Sequence, residues 1–418
     1  LRKSILVFIA LHAIKCRWTS SAMKHVLALI ALSLAGASQA AAHPPDPCSS
    51  TSPTPTGDVQ LRVSIPGGRT SFREGEIIPL ALSFTSLGPE RYRFLDQRSD
   101  RSGRFDGDAY CLAPEARDPL ADYFSTVMSL GGGLSGQRRL SAEPFIVTAE
   151  LNEWRQPRPG HYRLWVVSNR VSREPAALGS RQTPEAPVLL RSNTIAFDVV
   201  AADAAGAALS LQEAVAAYQG TTGEPQKEAA RRLRFLGTKD STDALARLFW
   251  SLREQPAGVD LMLGIFASPH RAEAIAAMQR AVGDPGHPIT QDFLTVLANL
   301  QVAGEAPGDP ETFAGGSQAW LESFEKMAAH RRQAEKAALA ATAAALPEKT
   351  GQARVLTLVT IATGKSALVD PETAARVRRE LVTDWTSLPE KTRADLMRAG
   401  VPALTGTDAL PLLREIAA

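Results

Sequence analysis

From Asp58 to about Val200 apolar and polar residues alternate along the chain. Val59, Leu61, Val63 and Ile65 fall on one side of an extended backbone, as do Ile78, Leu80, Leu82 and Phe84. Phe145, Val147 and Leu151 form a shorter row, followed by Tyr162, Leu164 and Val166 and then Ile195, Phe197 and Val199. A period of two, punctuated by Gly, Pro and Ser, describes strands with one face buried and one solvated. It predicts an antiparallel, Ig-like β-sandwich over 58–200. Pro159-Gly160 before Tyr162 fits the penultimate strand of such a domain, with the tyrosine pinning a loop.

From Leu209 the period becomes helical. Ser210 is placed to cap LQEAVAAY. Pro225 opens a helix whose Ala229, Leu233 and Leu236 share a face, and Gly237 ends it. Asp240 is placed to cap TDALARLFW, Pro269 starts HRAEAIAAMQRAVG, and Thr290 starts QDFLTVLANL. A long Ala-rich helix is expected over 317–346, with further helices near 351–363, 371–384, 389–398 and 407–418. Short helices joined by short turns predict an αα-solenoid of HEAT-like repeats over 209–418. Thr242-Asp243-Ala244-Leu245 recurs as Thr407-Asp408-Ala409-Leu410, 165 residues on, close to four units of the HEAT period of about 40–47. The last helix is still apolar at Ala418, so the solenoid is expected to continue or to be covered there.

Composition marks the boundary between the halves. No Lys occurs from His43 to Gln226, whereas Arg is abundant; both occur after Lys227, and Ala dominates. The run AADAAGAA, 201–208, is read as a hinge. Ahead of the strands, 43–57 is a linker rich in Pro, Ser and Thr that buries too little apolar surface to fold alone.

Residues 1–42 read as a leader. Met23-Lys24-His25, an apolar run from Val26 to Ala37 and Ser38-Gln39-Ala40 are the three parts of a signal peptide, most simply 23–42. Neither this run nor Ile5–Ile14 reaches the roughly 18–20 apolar residues of a membrane span. The chain is therefore expected to be exported, periplasmic or extracellular, without stable membrane insertion. Five of the 46 Lys and Arg lie in the leader, which has no Asp or Glu; the remaining 41 face 44 acidic residues, a net of −3. That balance argues against nucleic acid as a partner. Of the three cysteines Cys16 lies in the leader, and Cys48 and Cys111 are a candidate disulfide in an oxidising compartment.

Candidate chemistry is sparse. Asp96, Asp100, Asp106 and Asp108 sit on one segment, DQRSDRSGRFDGD, and are candidate calcium ligands. The central Gly and final Glu of an EF-hand are missing, and Arg98, Arg101 and Arg104 compete as ion partners. Gly131-Gly132-Gly133-Leu134-Ser135-Gly136 is neither a phosphate loop nor a serine-hydrolase elbow, though Arg138 and Arg139 beside it suit an anion. His43, His161, His270, His287 and His330 show no zinc spacing and read as surface or capping residues. Trp154 and Trp165 read as packing, with sugar stacking as the alternative. Arg231, Arg232 and Arg234, and Arg376, Arg378 and Arg379, read as solvated helix faces, with an acidic partner peptide as the alternative. No catalytic residue and no cofactor site is identified.

The strand half carries DRSGRF, DPLADYF, ELNEW and PGHYRL, and the helical half LRFLGTKD, SPHRAEAI and LPEKTGQARV. In arrangement and in these phrases the chain resembles uncharacterised secreted bacterial proteins with an Ig-like domain followed by HEAT-like repeats. The resemblance implies a two-part fold and an extracytoplasmic location, and no activity. The functional expectation is an exported, non-enzymatic adaptor that binds a protein partner through the helical-repeat surface. The alternatives are carbohydrate or cell-envelope (glycan) binding through the sandwich, a hydrolase assembled from dispersed residues, and a macroglobulin-like protease trap. The trap reading lacks a C-G-E-Q run.

Overall fold

The computed structural model describes residue 48, 57–88, 92–96, residue 104, 107–126, 136–173, 187–305, 316–363 and 371–398. Its first part is a β region of two sheets. One sheet has the antiparallel order β1 (Val59–Ser64), β3 (Pro79–Ser86), β7 (Phe145–Glu150). The other is built around β8 (Gly160–Arg173), which is long enough to pair at different points with β10 (Ile195–Val200), β5 (Asp108–Ala113), β9 (Pro187–Arg191) and β4 (Tyr92–Leu95). The short strands β2 (Ser71–Arg73), parallel to β10, and β6 (Gln137–Arg139), antiparallel to β4, complete it.

The alternating rows do what their period demands. Val59, Leu61, Val63, Leu80, Leu82 and Phe84 from the first sheet meet Phe94, Tyr110, Tyr162, Leu164, Val166 and Phe197 from the second in one apolar cluster. Their neighbours along each strand point away, so Ile146 in β7 is 49% exposed although it is apolar. Cys48 and Cys111 form a disulfide. It fits an oxidising compartment.

A helical region follows. It runs through α2 (Ala204–Gly220), α3 (Glu224–Leu236), α4 (Lys239–Leu248), α5 (Gly258–Ala267), α6 (Arg271–Gly283) and α7 (Gln291–Val302). It continues through the 30-residue α8 (Gly316–Ala345), then α9 (Gly351–Thr363), α10 (Pro371–Thr383) and α11 (Glu390–Arg398). The segment expected as a helix at 407–418 lies outside the described residues. Helix α3 begins with Pro at its first turn and ends on Gly237 in the left-handed region, as its sequence predicts. Thr290 caps α7 by accepting from the Phe293 amide.

Two starts differ from expectation. Helix α2 begins at Ala204, where the Asp203 carboxylate accepts from the Gly206 amide, so Ser210 lies inside it and the last five residues of the expected hinge are helical. Helix α4 is capped by Thr238 in a reciprocal box with Ser241, leaving Asp240 in the first turn.

A third difference joins the halves. Within the β region, DPLADYF forms a short helix, α1 (Ala121–Thr126), and Leu120 buries its side chain in the apolar cluster of the helical region. Tyr123 packs edge-on to Phe266 of α5, with ring centres 5.1 Å apart. The described β and helical regions belong to one compact unit.

Candidate functional site

Between the β region and the first helices runs a buried ionic seam. Its centre is Glu153, one turn beyond β7. Both Glu153 carboxylate oxygens accept from Arg234 of α3, one of them at 2.8 Å, and these side chains are 5% and 1% exposed. Arg231, one turn earlier on α3, pairs with Glu150 and lies 3.5 Å from Glu153. Arg234 also lies 3.5 Å from Asp260 of α5. From the other side Arg104 donates to the Glu153 backbone carbonyl at 2.9 Å, pairs with Asp118, and spreads its guanidinium over Phe124 and Trp154. Burial pushes the Glu153 carboxyl above the usual carboxylate range, against the pull of Arg234 and Arg231, and it does the same to Asp260.

The seam lets the backbones touch. Gly75, in the β2–β3 loop, lies against Leu236 at the end of α3, where a Cβ would meet the Leu236 carbonyl oxygen at 3.0 Å. Its φ of +83° also suits glycine.

Above this contact opens a cleft of about 990 Å³. One wall is the small-residue face of α2, with Ala204, Ala207 and Ser210 leading to Glu213. The other is the stripe Glu228, Arg232, Leu236 of α3, four residues apart and so on one helix face. The β2–β3 loop, Arg158, Lys239 and His270 close one end. Arg69, just ahead of β2, grips Glu76 of the loop with both terminal guanidinium nitrogens, and Glu76 also accepts from the Arg73 amide. Burial raises the Glu76 carboxyl, but these donors more than reverse that and hold it below the usual range. Glu74 faces Arg158 at 3.7 Å, and Lys239 faces Glu273 at 3.2 Å. The side chains of Arg73, Arg232, Glu213 and Glu228 form no ion pair among the described residues.

The arginine triplet at 231–234 therefore has two fates. Arg231 and Arg234 are spent inside the molecule, and Arg232, a hundred degrees round the helix, faces the cleft. At the second cluster Arg376 donates to the Ala343 carbonyl at 2.7 Å and satisfies the end of α8.

The calcium candidates do not assemble among the described residues. Asp108 is buried against Arg170, with a shortest separation of 2.7 Å, and Asp96 is bound by Arg138 at 2.5 Å. Each carboxylate already has a cation where a metal ion would sit. Asp100 and Asp106 lie outside the described residues, as do 131–135 of the glycine loop and His43. Arg138 also stacks over Phe145 at 4.2 Å and so serves the sheet. No group of three or more metal-ligating side chains comes together among the described residues.

The tryptophans are engaged by their neighbours. Trp154 stacks on Tyr110 at 4.9 Å and carries Arg104 at 5.0 Å, while Arg191 covers Trp165 at 4.9 Å. His161 pairs with Asp198 at 2.8 Å and His330 with Glu305 at 2.6 Å, both at the surface. His270 is exposed at the start of α6.

His287 departs from the surface role expected of it. It is 7% exposed and packs on Phe293, and burial lowers its pKa to about 4. Lys349 lies beside it, fixed by donation to the carbonyls of Ala281, Asp284 and His287.

No helix among the described residues is long and apolar enough to cross a membrane. Compared with models of known protein families and with curated proteins, the chain matches none.

Proposed function

We propose that this chain is an exported, non-enzymatic adaptor, an Ig-like β-sandwich docked on HEAT-like helical repeats, and that it binds a protein partner in the cleft at their junction. The observation that carries the reading is the construction of that cleft. Its walls come from both halves, and the halves are fixed to one another by the Glu153–Arg234 seam and the Gly75–Leu236 contact. A preformed concavity on a rigid frame loses little entropy on binding. Its lining mixes charged side chains with small residues, which suits a polypeptide segment better than an apolar small molecule. The recognition surface thus lies at the head of the helical array and includes the β2–β3 loop, a narrower placement than the whole repeat surface. Glycan binding through Trp154 and Trp165 is the weaker reading, since Trp154 is already stacked on Tyr110 and covered by Arg104, and Trp165 is covered by Arg191.

The test uses the full chain as bait against envelope and secreted fractions of the producing organism. Ala207→Trp fills the cleft from α2, and Ala205→Trp places the same bulk on the exposed side of that helix. A partner retained by Ala205→Trp and lost with Ala207→Trp is the expected result. Equal retention by both folded variants refutes the cleft as the recognition surface.

A further inference from the structure

We infer that β7 is a docking edge for a second copy of this chain, the two strands pairing antiparallel about Thr148 and joining their three-stranded sheets into one. The inference does not depend on what enters the cleft.

β7 is the last strand of its sheet, with β3 on one side only. The Leu151 amide donates to the Ile78 carbonyl at 3.0 Å, in register with the β3–β7 ladder. Hydrogen-bonded pairs alternate along an antiparallel ladder. Phe145, Val147 and Ala149 therefore direct their backbone groups to β3, and the N–H and C=O groups of Ile146, Thr148 and Glu150 point to the free edge. Those outward groups have no hydrogen-bond partner among the described residues. The side chains report the same opening. Leu80, Leu82 and Phe84 of β3 are at most 1% exposed, whereas Phe145, Val147 and Ala149, beside them on the same face, are only half-buried. On the opposite face Ile146 and Thr148 are exposed.

The other edge of this sheet is sealed. Asn193 accepts from the Val63 amide at 2.9 Å and donates to the Val63 carbonyl at 3.0 Å, and Val59, Leu61 and Val63 of β1 are buried. The strands at the ends of the larger sheet, β2 and β6, are three residues long and carry arginine. Short length and charge are usual defences against strand addition. β7 lacks them: it is six residues long, and Phe145 to Ala149 contain no charge, no proline and no bulge.

This edge is complementary to itself. The register that engages every outward backbone group sets Thr148 opposite Thr148 of the second copy, and Ile146 opposite its Glu150. On the core side Val147 then meets Ala149 of the second copy, a larger side chain against a smaller one, and each covers what the other leaves half-exposed. Like charges do not meet, because Glu150, the only charge of the strand, is paired with Arg231 of its own α3. A foreign strand has to match this pattern, whereas a second copy does so by symmetry. An edge about 20 Å long is short for an interface of roughly 1,200–2,000 Å², so association in the micromolar range is expected.

Sedimentation velocity of the full chain is expected to show a monomer–dimer equilibrium in that range. Thr148 lies on the two-fold axis and opposes itself. Thr148→Lys and Thr148→Glu should each stay monomeric where the wild type dimerises, and an equimolar mixture of the two should dimerise again, a gain that misfolding does not produce. In a Cys16→Ser background, Thr148→Cys sets Cα atoms about 5.5 Å apart, within disulfide reach, whereas Ile146→Cys sets them about 14 Å apart. Oxidation should cross-link the first at least tenfold faster than the second. A wild type that stays monomeric at millimolar concentration overturns the inference. So does a lysine or glutamate variant that dimerises as the wild type does, a mixture no more dimeric than its components, or equal cross-linking at the two cysteine positions.

Discussion

Replacing Glu153 by Leu removes one member of an ion pair whose other member stays where it was. Arg234 is 1% exposed at its side chain, and its remaining anionic neighbour, Asp260, is 3.5 Å away. The cost of orphaning one partner of a buried pair is about 3–5 kcal/mol. Asp260 offsets part of that here, so about 3 kcal/mol is expected for Glu153→Leu. Arg234→Met should cost a similar amount, because it leaves Glu153 with only Arg231 at 3.5 Å. The double variant is the sharper test. Burial lifts the Glu153 carboxyl despite two neighbouring guanidiniums, so desolvation offsets much of the attraction within the pair. Removing both charges together should therefore cost less than about 1.5 kcal/mol, well short of the sum of the singles. Urea unfolding followed by circular dichroism and by tryptophan fluorescence measures all three. It also shows whether the β and helical regions still unfold together once the seam is broken. If Glu153→Leu costs under 1 kcal/mol, or the double variant is as unstable as the two singles added, the pair does not hold the junction.

Two further outcomes follow from buried groups. His287 has a folded pKa of about 4, below its unfolded value near 6.5, so the unfolded chain takes up the proton first as pH falls. Its contribution is whole above pH 6.5 and is lost toward pH 4, amounting to about 3 kcal/mol; the urea midpoint of the wild type should drop between pH 7 and 4.5 more than that of His287→Leu. The Cys48–Cys111 bridge closes a loop with a sequence separation of 63, for which chain entropy gives about 4 kcal/mol. Cys48→Ser with Cys111→Ser should lower the urea midpoint accordingly while leaving the far-ultraviolet spectrum unchanged, and an unchanged midpoint would contradict that account.

What the sequence discloses is what depends on near neighbours. The rows of β1, β3, β8 and β10 are legible because a period of two needs no knowledge of the partner strand, and the ends of α3 because Pro225 and Gly237 act within one turn. The start of α2 is not. Asp203 and Ser210 are both good caps, and the Ala-rich run between them is helical by propensity, so the earlier cap takes the helix. The burial of His287 depends on Phe293 and Lys349, of which Lys349 is 62 residues away. The ion pairs of Asp108 depend likewise on Arg170. The seam left one trace that could have been followed: Arg231 and Arg234 are three apart and share a face, and Arg232 does not. Their partners, Glu150 and Glu153, are also three apart in the phrase preceding Trp154. The cleft had no such trace, since its lining comes from separate stretches around residues 73, 158, 207, 232 and 270.

The disulfide also decides where the molecule carries a load. Cys111 sits in β5, which is paired along its length to β8, the strand to which most of the larger sheet is attached. Tension applied to the chain ahead of Cys48 passes through the sulfur atoms into that strand pair. It bypasses β1, which would otherwise be the first strand peeled from its sheet. The described residues between Cys48 and Cys111, including the β2–β3 loop that closes the cleft, lie off that line of force.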